Sequence, residues 1–276
     1  FQNENPKVCP MIKHFVLTSG RSGSNYISNL LNKHPNVINY GEVLGEWTTG
    51  YKVNKCIGRG DAEKYLSFIY AGPNYFRLSE SFKRAKAIFK GQSHAKKRWS
   101  EIQSYGVKDF AMTLIYRDAG EFLQENPDIR VINLYRENAL RRLASVRLLD
   151  ETGVVSSDHA QHLSSAATNK KQVYLPADTF FADIKRIEEV VQDQLDMVAA
   201  LPETQVLTIR YEDLFSSEEA KQDFSQRIFD FIGVEPLTLK SSHKKLNSED
   251  LKELIANYDE IYTLCEGTEY EKYFKY

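Results

Sequence analysis

Apolar residues along this chain alternate between two periods. Short runs at Phe15-Val16-Leu17, Val37-Ile38-Asn39-Tyr40, Tyr105–Phe110, Arg130–Tyr135 and Gln205–Ile209 predict strands. Between them, apolar positions recur every three or four residues. Tyr26, Ile27, Leu30 and Leu31 open a first helix, which His34-Pro35 ends because the residue before proline avoids the α region. Further helices are expected over Asp61–Ala71 with Asp61 as cap, Ser79–Lys97, Tyr116–Gln124, Arg136–Ser145, Thr179–Leu201, Glu218–Ile232 and Ser248–Ala256 with Ser248 as cap. Residues 151–175 show neither period and are rich in Ser, Thr, Asn and His, the mark of a functional or disordered loop. Strand and helix alternate throughout, which predicts an α/β fold with a central parallel sheet flanked by helices on both faces. No linker or internal repeat interrupts the pattern. The chain reads as one domain over residues 1–276, with 1–12 a surface segment and 241–276 a helical C-terminal tail.

Charge and cysteine content narrow the partners. A formal charge of −2 over 276 residues argues against a general nucleic-acid or membrane-surface binder, while leaving room for a local basic pocket. Cys9, Cys56 and Cys265 are far apart and odd in number, so neither a disulfide framework nor a metal-ligand spacing is present. That fits a reducing, cytoplasmic setting. No apolar run approaches the roughly 18 residues of a membrane span, and no signal peptide is expected. The chain starts at Phe1 rather than Met, so a larger parent protein stays open. Lys96-Lys97-Arg98 is expected to be a solvated helix end.

The chemistry starts in the stretch His14–Asn32, HFVLTSGRSGSNYISNLLN. A strand, a Gly/Ser loop and a helix follow one another there. Such an order makes an anion site, because the first turn of a helix carries free N–H groups and a favourable dipole. Gly20 and Gly23 let backbone come close to the anion. Ser22 and Ser24 offer hydroxyls, and Arg21 offers a planar fork of donors. A nucleotide-type GxxxxGK[ST] loop is not formed, since Ser24 follows Gly23 where lysine is required.

TSGRSGSNY resembles the 5′-phosphosulfate loop of sulfotransferases that use 3′-phosphoadenosine-5′-phosphosulfate (PAPS). LYRENALRRLAS resembles the family's 3′-phosphate element, an Arg after a strand and a Ser in the next helix. Ser145 stands nine residues after Arg136, as in the bacterial carbohydrate and nodulation-type branch. Tyr211-Glu212-Asp213-Leu214 matches a third family segment, beside the adenosine. The resemblance spans residues 14–215 and implies a P-loop-like three-layer fold. It also implies a PAPS donor leaving PAP (3′,5′-adenosine diphosphate) as product, no metal, and a hydroxyl acceptor that is a carbohydrate or small metabolite. Ser19, Gly20, Arg21, Ser22, Gly23, Ser24, Asn25 and Tyr26 would hold the donor together with Arg136, Ser145 and Tyr211. Tyr26 and Tyr211 are as readily core aromatics. The family's C-terminal Gly-rich basic loop is absent. Ser242-His243-Lys244-Lys245 would replace it, Lys245 being the candidate donor contact, or would serve the acceptor. Relatives often dimerise, which leaves a homodimer open.

Sulfuryl transfer needs in-line positioning, neutralisation of charge on the leaving phosphate, and a base for the acceptor hydroxyl. Arg21 suits the leaving group. Gly41-Glu42 follows the second strand and resembles the Gly-Glu segment of carbohydrate-type members, so Glu42 is the expected base, with Glu46 as runner-up. His94, His159 and His162 are alternatives, and His159 in the polar loop is an acceptor-side candidate. Lys108 is unusual inside a strand unless paired. It either lines the donor or acceptor pocket, within a GxK segment similar to a family motif, or is a paired structural lysine. Arg136, Arg141 and Arg142 read equally as an exposed helix face. Two other readings stand beside this one, a P-loop kinase or NTPase and a nucleotide-binding protein without turnover.

Overall fold

The computed structural model describes residues 11–56, 60–89, 91, 97–153, 172–237 and 250–275. β1, Ile12–Thr18, is the middle strand. It pairs in parallel with β3 (Ser104–Phe110) on one side and β4 (Ile129–Tyr135) on the other. β2 (Val37–Asn39) lies beyond β3, and β5 (Val206–Arg210) beyond β4. The order is therefore β2-β3-β1-β4-β5, all parallel. The chain builds one side of β1, then crosses to the other, so the switch in strand order, where open α/β sheets bind ligands, falls at the C-terminal ends of β1 and β4.

The sheet is covered on both faces, which is why its strands read as short apolar runs rather than alternating ones. Successive β1 side chains point to opposite faces. Phe15 and Leu17 pack with Val107 and Val131 against α3 (Ala62–Tyr70), α5 (Ala111–Tyr116) and α6 (Phe122–Glu125). Val16 packs with Ile132, Leu134 and Ile209 against α1 (Ser24–Lys33) and α9 (Glu218–Phe231). The three-layer, P-loop-like α/β architecture is as expected. A further apolar cluster joins α7 (Ala139–Thr152) and α8 (Phe180–Ala199) to the helices within 251–274. Where β1 meets β3, Gly106 is obligatory, because a Cβ there would stand 1.7 Å from the His14 carbonyl oxygen.

Several boundaries differ from the expectations. α4 starts at Pro73, not Ser79, since proline suits the first helical position, and its described part ends at Phe89. α2, Thr49–Cys56, had no clear signal in the sequence. The helix expected over 116–124 is two pieces, α5 and α6, separated by a turn in which Asp118 has φ +53°. Asp250 caps the helix at Leu251–Leu254 by accepting from Lys252 N. Lys97 is no solvated helix end. Its Nζ donates to the carbonyls of Asn32, His34 and Val37, where α1 ends and β2 begins. Residues 1–10 lie outside the described residues, as do His94, His159, His162, Lys245, Ser248 and most of 151–175.

Candidate active site

The loop after β1 is built from left-handed backbone. Gly20, Arg21 and Gly23 have φ of 82°, 54° and 81°. Glycine takes this conformation freely, whereas at Arg21 it costs on the order of 1–3 kcal/mol, the kind of strain that collects at functional sites. Runs of this sort turn successive N–H groups into one concavity, an anion nest. α1 follows at once, with no acidic residue in its first turn and no side chain capping its amides. By contrast α3, α7 and α9 are capped by Asp61, Asn138 and Ser217. The first-turn amides of α1 therefore have no side-chain acceptor among the described residues, an arrangement that suits an anion. Ser22 departs from expectation. Its hydroxyl is buried and lies 2.5 Å from Thr18 Oγ1, which also accepts from Gly20 N, so the side chain braces the loop from within. Ser24 is buried too, and the Ser19 hydroxyl oxygen is buried with no hydrogen-bond partner among the described residues.

Three guanidinium groups gather at this loop. Arg21 Nε donates to Ser145 Oγ at 3.0 Å, which ties the loop after β1 to α7. Arg136 lies before that helix rather than in it, because Asn138 caps α7 by accepting from Arg141 N. Its guanidinium carbon stands 4.3 Å from the Tyr211 ring centre, a cation–π stack, with Glu212 at 4.0 Å. Glu212 in turn accepts from the backbone N–H of Glu137 and Asn138, so it fixes the segment that carries Arg136. Arg142 belongs to no exposed face. It is buried and donates to the carbonyls of Ser19, Gly20 and Ile187, gripping the loop from behind. Burial and the nearby Arg136 charge push Arg142 down to about 10, and the same two causes lower Arg21, against a smaller raising effect of Tyr211. Like charges collected at a partly buried place favour an anionic ligand. Tyr26, Tyr211 and Phe215 form an aromatic cluster at the end of the loop, and a Cβ on Gly23 would come within 2.6 Å of Phe215.

Glu42 and Lys108 meet on the other flank. β2 is prolonged by Tyr40 N donating to Gly106 O, and Gly41 O accepts from Lys108 N. The strand ends therefore stay in register and bring the two side chains together. Lys108 Nζ donates to Glu42 Oε1 at 2.5 Å and to Asn25 Oδ1 at 3.1 Å, which links the pair to α1. Trp47 Nε1 donates to Glu42 Oε2 at 2.8 Å. Asp109, absent from the candidates above, holds the Glu42 loop. It is buried and accepts from Val43 N and Leu44 N through Oδ2 and from Phe110 N through Oδ1. Burial raises its pKa, with those three amides opposing. Glu46 is directed elsewhere. It is exposed and pairs with Lys55 and Arg117, each at 3.6 Å. Among the described residues no group of three or more His, Cys, Asp or Glu is placed to hold a metal ion. No described helix is long and apolar enough to cross a membrane.

No protein-family model matches the chain. Nodulation protein H of Rhizobium meliloti is 22% identical over 265 residues, 94% of each chain. The chain resembles sulfotransferases. Solved structures with likeness to the chain include the sulfotransferase domain from the curacin biosynthetic pathway. That domain is 15% identical, with 88% of this chain and 81% of that one covered at a TM-score of 0.44. The sulfotransferase from Alicyclobacillus acidocaldarius is 14% identical, with coverage of 85% and 87% at a TM-score of 0.42.

Proposed function

We propose that the protein transfers a sulfuryl group from PAPS to a hydroxyl of a carbohydrate or small-metabolite acceptor. The observation that carries this reading is the Arg21–Ser145 hydrogen bond. It joins two segments, 124 residues apart, that resemble the two phosphate-binding elements of one family. PAPS supplies the activated sulfur, on which an acceptor oxygen forms its bond as the sulfur–oxygen bond to phosphate breaks. Glu42 takes the acceptor proton. Lys108 and Trp47 hold one carboxylate oxygen each, which leaves lone pairs on both for that proton. Arg21 and the amides at the start of α1 offset the charge that grows on the leaving phosphate. Arg136, stacked on Tyr211, is the cation for the second phosphate.

Calorimetric titration with PAP, with and without Mg²⁺, tests the reading. Metal-independent binding that Arg136→Ala loses supports it. Binding of ATP alone, and only with Mg²⁺, would replace it with the kinase reading.

A further inference from the structure

Trp47 is a large apolar side chain left 62% exposed. Exposure of a single such residue is common and means little. This one, however, is held in place from three directions. The indole lies on Gly45, where a Cβ would come within 2.3 Å of its Cε2. Its Nε1 donates to Glu42 Oε2, and its ring centre stands 6.3 Å from that of Phe110. The loop beneath is fixed by Asp109 at Val43 and Leu44, and by Thr48 Oγ1 donating to the carbonyls of Val43 and Gly45. Phe110 reaches the donor loop, since a Cβ on Gly20 would lie 3.3 Å from its Cε1. A held aromatic side chain therefore stays largely exposed beside the expected base, with Phe110 linking it to the anion loop.

We infer that Trp47 is the platform on which the acceptor ring stacks, and that this acceptor is a non-planar sugar ring. The inference rests on the sulfotransferase reading and deepens it. The face of an aromatic ring carries negative charge and attracts the polarised C–H groups on the apolar side of a pyranose. An N–H donates in the plane of its indole, so Glu42 Oε2 sits at the edge of Trp47, near the ring plane. A hydroxyl or hydroxymethyl that drops out of a sugar's mean plane reaches that oxygen from above the face. The hydroxyl of a stacked planar phenol stays in its own plane, one stacking distance away. Trp47 thereby also positions the base.

The chain has two tryptophans, and Trp99 packs against Phe76 and Tyr105 just before β3, away from the site. In a Trp99→Phe variant the emission reports Trp47 alone. Titration with methyl α-glucopyranoside and with cellobiose is expected to give a saturable change in emission. In steady-state assays on the wild-type background, Trp47→Ala is expected to raise acceptor KM by about tenfold or more, with PAP affinity held within about twofold. Trp47→Phe keeps the stacking face and loses the N–H. It should leave KM within about threefold while kcat falls. Any one of three results overturns the inference: no saturable emission change with either glycoside, an unchanged KM in Trp47→Ala, or preferred turnover of phenols. Failure of wild type to bind PAP removes the sulfotransferase reading instead, and the emission titration still decides whether Trp47 takes a sugar.

Discussion

Lys108 Nζ lies 2.5 Å from Glu42 Oε1, and the two side chains are 4% and 24% exposed. The pair is thus asymmetric, with a buried cation and a partly exposed carboxylate. Removing the carboxylate strands the cation, a loss of up to about 3–5 kcal/mol when a buried charge goes uncompensated, although Asn25 keeps one bond to it. Glu42→Gln preserves an oxygen for Lys108 and cannot accept the proton. Turnover should fall by about 10²–10⁴, with PAP affinity unchanged. Glu42→Ala should lose the same activity and unfold at a clearly lower temperature. Thermal stability of Glu42→Ala equal to that of wild type would show that the ion pair has no structural role.

Arg21 and Ser145 make a second test. Ser145→Ala removes one neutral acceptor from a charged donor, an interaction worth about 1.5–3 kcal/mol. PAP affinity, read by calorimetry, should drop roughly tenfold or more with little change in acceptor KM. Arg21→Lys is expected to bind more weakly still, because an ammonium offers no planar fork and the left-handed backbone at this position remains. Unchanged PAP affinity in Ser145→Ala would separate α7 from the donor site.

Much of this site could be read in the sequence, for reasons that particular residues make plain. β1 was legible because burial on both faces forces consecutive apolar residues, Phe15-Val16-Leu17. The loop was legible because left-handed backbone demands glycine at 20 and 23. Lys108 stood out as a cation inside a strand. Arg142 did not stand out. It sits among Arg136, Glu137 and Arg141, and its burial depends on Ser19, Gly20 and Ile187, all more than forty positions away. Asp109 was hidden for a similar reason, since its three partners are backbone amides and leave no side-chain signature. The break between α5 and α6 escaped because Asp118, not glycine, adopts positive φ there. Local pattern reports what the backbone must do, while long-range polar contacts appear only once the chain is folded.

Asp109 gives a prediction of its own. Its carboxylate takes two amides on Oδ2 and one on Oδ1. Asparagine has one acceptor oxygen, so Asp109→Asn must turn its NH₂ toward at least one buried N–H. That should cost about 1–3 kcal/mol of stability in chemical denaturation. The loop bearing Glu42 and Trp47 would loosen, so kcat should fall while PAP affinity holds. A matched loss of PAP affinity would mean that Asp109 serves the donor loop rather than the base.

His14 sets an acid limit on stability. It is fully buried in β1, with Nδ1 2.8 Å from Ser104 Oγ and Nε2 3.2 Å from Asn39 Nδ2. Burial lowers its pKa from 6.5 to about 3. Between those values the unfolded chain carries a proton on this residue and the folded chain does not. Acidification therefore favours unfolding, and the stability present above pH 6.5 is progressively lost as pH falls toward 3. The loss is on the order of 1.4 kcal/mol per pH unit across that window. His14→Gln cannot titrate, and its amide can still serve Ser104. It should be somewhat less stable than wild type at neutral pH, yet show a flatter decline in urea midpoint from pH 6.5 to 4.5. Parallel declines in the two proteins would move the acid sensitivity to other groups.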